Sequence, residues 1–282
     1  MFSVDWADPN ALLQELQAFQ AFTNGPASWT TVAGATSPYT NCITGKSQFF
    51  RLAFNITNLP CVTPPPGLVS WWPGEGNALG IWGGNNGTLQ GGVTFTTGEV
   101  GQAFNFDGAT GFVSTSTLIS NPQTFSLSLW FRTATTNGGV LISFDSSQSS
   151  VADGSQFDRN IYLDDTGALH FGVWNSGPQQ INSAAGYNDN NWHLVVGSLS
   201  ASTGLSLYVD GVLAGNNPAV TDAWETYNGY WRFGEDNLNN WPYQPASHYF
   251  QGQIDEVAIF NTALASQDVA NIYAVGSAGM CQ

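Results

Sequence analysis

Residues 192–210 read WHLVVGSLSASTGLSLYVD, and residues 252–260 read GQIDEVAIF. Both are polar-alternating strand patterns with turn chemistry at their edges. Asp210-Gly211 sits between two apolar runs, the strongest short hairpin signal. Residues 125–132 alternate as cleanly, with Phe125, Leu127, Leu129 and Phe131 on one face and Ser126, Ser128, Trp130 and Arg132 on the other. Residues 139–144, 160–164 and 168–174 continue the series, with Asp165-Thr166-Gly167 as a turn. Many short strands with Gly and Asn turns predict a mostly β chain, an antiparallel two-sheet sandwich. One short helix is expected over residues 266–273, with Ser266 as its cap.

Composition narrows the partners. The chain carries five lysines and arginines against 20 acidic residues, a net charge of -15. Such a surface repels phosphate backbones and anionic lipid, so no nucleic acid partner is expected. Only 9% of residues are charged while 42% are hydrophobic, the profile of an extracellular or cell-surface β protein. No apolar run of about 18 residues is present, so no membrane insertion is expected, and no secretory signal is visible in this chain.

The N-terminal part reads differently. Asp8 is a good N-cap, Pro9 fits the first helical position, and Gly25-Pro26 ends the pattern. Leu12, Leu16, Phe19 and Phe22 recur at helical spacing. Short strands follow around 29–32, 39–43 and 48–54, completing a small helix-plus-β module over residues 1–59. Pro64, Pro65 and Pro66 make a stiff spacer without strand-pairing donors, which places a linker at 60–66 and a second domain at 67–282.

The second domain carries a recognisable run of segments. GLVSWWP at 67–73 is followed by GGNNGTL at 83–89 and GQAFNFDG at 101–108. Then come Trp192-His193, LYVDG at 207–211 and GQIDEVAIFN at 252–261. In this order they resemble the laminin-G-like, concanavalin A-like jelly roll of bacterial secreted proteins. The resemblance implies carbohydrate binding, adhesion, or service as an accessory module. It also implies that the domain's first and last strands lie side by side, so that Cys61 and Cys281 pair in an oxidising compartment. The rival pairing is Cys42 with Cys61; otherwise Cys42 is a buried thiol or bridges to another chain. The resemblance further points to a structural calcium on Asp255 beside the 83–87 turn, with Asn85 and Asn86 as further oxygen donors. Gly80 stands where the family often has an acidic ligand. The alternative is that Asp255 caps a loop through backbone hydrogen bonds.

Other clusters are read from the residues themselves. Asp153, Asp158, Asp164 and Asp165 are expected to be solvated turn formers. Residues 224–250 are dense in aromatics, and Trp224, Tyr227, Tyr230, Trp241, Tyr243 and Tyr249 are the candidate sugar-stacking residues, because flat rings stack on sugar faces. Trp241 and Tyr243 are expected to be the most exposed, and Trp231 and Phe250 to divide between core and surface. Glycoside hydrolysis ranks last. Among Glu75, Glu225, Glu235 and Glu256 no close pair on one strand is visible, and Asp255 and Glu256 point to opposite faces. No serine elbow, phosphate loop or zinc spacing appears. The expectation is a non-catalytic module that binds glycans or cell-surface components. The alternative is a self-associating structural subunit of an extracellular filament or surface assembly.

Overall fold

The computed structural model describes residues 61–149, 155–223 and 226–282. The expected N-terminal helix and β module lie outside the described residues, as do Cys42, Asp153, Trp224 and Glu225. The chain divides into two units, Met1–Thr57 and Asn58–Gln282, and the account below concerns the second.

The strands in chain order are β1 (Leu68–Trp72), β2 (Gly87–Gln90), β3 (Thr94–Thr97), β4 (Gln102–Asp107), β5 (Phe112–Thr115), β6 (Ile119–Ser120), β7 (Phe125–Arg132) and β8 (Gly139–Asp145). They continue with β9 (Phe157–Leu163), β10 (Leu169–Trp174), β11 (Pro178–Asn182), β12 (Trp192–Ser200), β13 (Gly204–Val209), β14 (Val212–Asn217), β15 (Asn228–Phe233) and β16 (Gln251–Phe260). Helix α1 (Ser266–Val275) closes the order. The first sheet runs β14-β13-β12-β7-β16-β4-β3, with β1 beside β16. The second runs β11-β10-β9-β8-β15-β5-β2, with β6 beside β15. The pairings between these strands are antiparallel, and the two sheets form the expected sandwich.

Alternation explains how the sheets meet. Phe125, Leu127, Leu129 and Phe131 of β7 enter one core with Ile161, Leu163, Leu169, Phe171, Trp231 and Phe233 of the opposite sheet. Burying each such side chain contributes about 1.5–3 kcal/mol. Trp231 and Phe250 are both fully core residues, which corrects the expected division between core and surface. The other face of β7 is covered too. Trp130 joins Trp71, Leu194, Tyr208 and Phe260 beneath Val269 and Ile272 of α1. The helix starts one residue earlier in its cap than expected: Ala265 is the N-cap, its carbonyl accepting the amides of Asp268 and Val269, while Ser266 is the first helical residue.

The hairpin signal holds: Asp210 and Gly211, at φ 51° and 77°, join β13 to β14, the left-handed pair a two-residue primed turn needs. The ends of the unit are joined covalently. Cys61 and Cys281 form a disulfide across 220 positions of sequence, with Cα atoms 4.9 Å apart. That bridge excludes the Cys42–Cys61 pairing. Next to it Val62 and Met280 form a parallel β-bridge, and the Cys281 amide donates to the Val62 carbonyl at 2.8 Å.

Candidate functional site

The outer face of the second sheet is where the chemistry collects. Leu169, Phe171 and Val173 of β10 point into the core. His170, Gly172 and Trp174 therefore point outward, beside Tyr162 and Asn160, their cross-strand neighbours on β9: His170 pairs with Tyr162 and Gly172 with Asn160. The segment 235–249, between β15 and β16, folds back over this face. Its Leu238 and Trp241 pack against Val140 and Tyr162, with Phe157 and Trp174 at the margin.

This placement corrects the expectation for Trp241. It is 3% exposed, while Tyr243 is 65% exposed. Gly172 is the reason: a Cβ there would lie 2.6 Å from the Trp241 ring, so the missing side chain makes the seat of the indole. Trp174 meets the same indole edge-on at 6.1 Å. Tyr227 is also buried, its hydroxyl lying 2.6 Å from the Phe144 carbonyl oxygen and 2.8 Å from Asp158 Oδ1. It is a core residue and presents no ring to a ligand. Tyr230 and Tyr249 are half-buried.

Tyr243 ends a column of three rings. Tyr162 stacks on His170 at 4.9 Å between centroids, and His170 stacks on Tyr243 at 5.0 Å, both with 16° between planes. Each ring is fixed by a polar partner. The Tyr162 hydroxyl donates to the Pro242 carbonyl and lies 2.7 Å from Gln180 Oε1. His170 Nε2 lies 2.9 Å from Asp164 Oδ2, and its Nδ1 faces the Gln180 amide. Burial pushes the His170 pKa down against the opposing pull of Asp164, so the middle ring is neutral at pH 7. Asp164 acts as the expected turn former, its Oδ1 accepting the amides of Thr166 and Ala168. Asp158, by contrast, is fully buried and paired with Arg159, not solvated.

A charged group joins β15 and β8 to the start of the insertion. The Arg232 guanidinium binds Asp145 at 3.2 Å and Asp236 at 3.7 Å, and pairs with Glu235. All are buried. Burial, then the charge of Asp236, pushes the Asp145 carboxyl up to about 9. These carboxyls are held by a guanidinium and closed off from solvent.

A model of the concanavalin A-like lectin/glucanases superfamily matches residues 107–270. The chain belongs to that superfamily. No curated protein matches it in sequence. Domain 4 of AbnA, a GH43 extracellular arabinanase from Geobacillus stearothermophilus, solved in complex with arabinotriose, is similar in fold. Its TM-score is 0.54 at 18% identity, over 73% of this chain and 97% of that one. The binding domain of paraclostridial mosquitocidal protein 1 gives 0.53 at 14% identity, over 73% and 52%. The binding domain of botulinum neurotoxin DC, in complex with rat synaptotagmin II, gives 0.53 at 16%, over 73% and 50%. The chain spans about half of each toxin binding domain. At these identities the likeness is one of fold.

In this concanavalin A-like chain the expected calcium ligands are otherwise engaged. Asp255 Oδ2 accepts the Val100 amide and Oδ1 the Glu256 amide, each at 2.9 Å. Asn85 Oδ1 accepts the Thr117 amide at 2.8 Å, and Asn86 Oδ1 the Gly80 amide at 3.1 Å. Each of these oxygens accepts from a different stretch of backbone. Among the described residues no group of three or more His, Cys, Asp and Glu side chains is arranged to hold a metal. Asp255 performs the loop-capping alternative. Its neighbour Glu256 accepts from Trp71 Nε1 at 2.9 Å.

The sequence reading missed Tyr162, His170, Trp174 and Gln180. The signal was present in LHFGVW at 169–174, where the outward positions carry His, Gly and Trp between core residues.

Proposed function

We propose that this is an extracellular or cell-surface, non-catalytic module that binds carbohydrate, or a glycan-bearing partner, through the outer face of its second sheet. The observation that carries the reading is Tyr243: a mostly exposed ring, held flat by two rings stacked behind it. A pre-fixed aromatic plane loses little entropy on meeting a sugar face. The Gln180 carboxamide contacts the column and Gln244 follows Tyr243 in sequence, and amides suit neutral hydroxyls. The superfamily holds lectins as well as glucanases, and the arabinanase domain was solved with a bound arabinose oligomer. The disulfide suits an oxidising compartment. Buried acids tied to Arg232, and an Asp255 tied to backbone amides, favour binding over hydrolysis.

Retention on insoluble arabinan, xylan and cellulose tests the proposal. Tyr243→Ala is expected to reduce retention roughly tenfold, the effect of truncating an aromatic anchor. Its Tm is expected to stay within about 2 °C, as for exposed sites. Release of reducing ends from any of these polymers overturns the non-catalytic part.

One observation favours self-association as a second reading. β14 is an edge strand without a charged residue, and its Val212 and Leu213 are 69% and 52% exposed. Uncharged, apolar edges pair with other edges unless guarded. Light scattering that shows a strict monomer at millimolar concentration removes this reading.

A further inference from the structure

The insertion closes over the sheet at a polar cost. Both atoms of the Asn160 carboxamide and Trp241 Nε1 are buried without a protein partner. Asn160 is fully buried. Asn160 lies directly across from Gly172, the seat of the Trp241 indole, and so belongs to the space beneath the insertion. Buried polar groups are normally paired, and closure leaves these unpaired. With the indole displaced, the Asn160 carboxamide remains, with two N–H donors on Nδ2 and one acceptor oxygen. A bare cation would use only the oxygen, and an anion only the N–H groups. A hydroxyl both donates and accepts, so the chemistry they fit is that of a polyol.

The hydrogen bonds of the insertion show what is able to move. Its ends are tied to the sheet: Gly234 N donates to Leu141 O, Val140 N to His248 O, and Ser247 N to Asn137 O. Its middle is closed on itself, with Trp241 N donating to Leu238 O at 3.0 Å. Asn240, inside this turn, and Tyr243, just after it, hold positive φ of 69° and 53°, which side-chain-bearing residues rarely adopt. Pro242 and Tyr243 are held separately, by the Tyr162 hydroxyl and the His170 stack.

We propose that residues 238–241 form a displaceable plug, and that the space filled by the Trp241 indole is a saccharide subsite continuous with Tyr243. The ligand class is a neutral oligosaccharide: one unit stacks on Tyr243, and the next replaces the indole over Gly172, with its hydroxyls meeting the Asn160 carboxamide. This rests on the carbohydrate reading of Tyr243, but the plug is testable without any ligand.

The test uses amide hydrogen exchange of the full chain, wild type and Asn160→Leu. Residues 238–241 are expected to exchange roughly a hundredfold faster than β9 and β10, as a separately opening unit does. Asn160→Leu removes the unpaired carboxamide at similar volume. It is expected to slow that exchange roughly tenfold and raise Tm, as replacing an unpartnered polar group does. Exchange as slow as the flanking strands, or a lower Tm in the variant, overturns the plug. On whichever of arabinan, xylan or cellulose retains the wild type, Asn160→Leu is expected to weaken retention roughly tenfold by holding the plug shut. Slowed exchange with unchanged retention overturns the subsite. Failure of the wild type on all three polymers sinks the Tyr243 reading and the subsite with it, while exchange still decides the plug.

Discussion

Opening the Cys61–Cys281 bridge, by reduction or by replacing both cysteines with serine, is expected to lower the unfolding free energy by about 5 kcal/mol. The magnitude follows from the 220-residue separation of the two cysteines, since the bridge confines an unfolded chain that otherwise explores a very large loop. Few single changes in a domain of this size reach that value. Urea unfolding of the oxidised and the double-serine proteins, at one pH, measures it. A difference under about 1 kcal/mol would mean that the unfolded chain already keeps its ends together.

Raising the pH from 4 to 8 is expected to destabilise the fold, by an amount on the order of 5 kcal/mol. Asp255 and Glu256 are both buried. Burial pushes the first carboxyl up to about 7, and burial together with the Asp255 charge pushes the second up to about 8. In the unfolded chain both titrate near their ordinary values of about 4. Within that interval the unfolded state has released protons that the folded state still holds. Stability is therefore greatest near pH 4 with respect to these two groups, falls as pH climbs through their folded values, and levels off above them. Glu256→Gln keeps the acceptor for Trp71 Nε1 and removes one of the raised carboxyls, so its decline is expected to be shallower than that of the wild type. A profile from pH 4 to 9 that is flat for the wild type, or equally steep for the variant, contradicts this account.

The strand pattern was legible because alternation has a direct cause: one face of each strand meets the opposite sheet. What lies on the other face was harder to read. Trp130 and Ser126 occupy outward positions on β7, yet both are buried, because α1 and the chain following β16 fold back over them. No periodicity within residues 125–132 carries that information. Trp241 is the same lesson at the site. A tryptophan amid Asn, Pro and Tyr reads as surface. Its burial is set by Gly172, some seventy positions away, and by the register that brings β10 beneath the insertion. Tyr243 was recognised as exposed, but its two supporting rings come from β9 and β10, outside the aromatic-rich stretch. The cysteine pairing was legible only through the family likeness, which implied that the first and last strands meet.

That meeting has a mechanical meaning. The backbone at Cys61 and at Cys281 meets at one spot, locked by a covalent tie. Force applied between Cys61 and Cys281 is carried by the sulfurs and bypasses the sandwich.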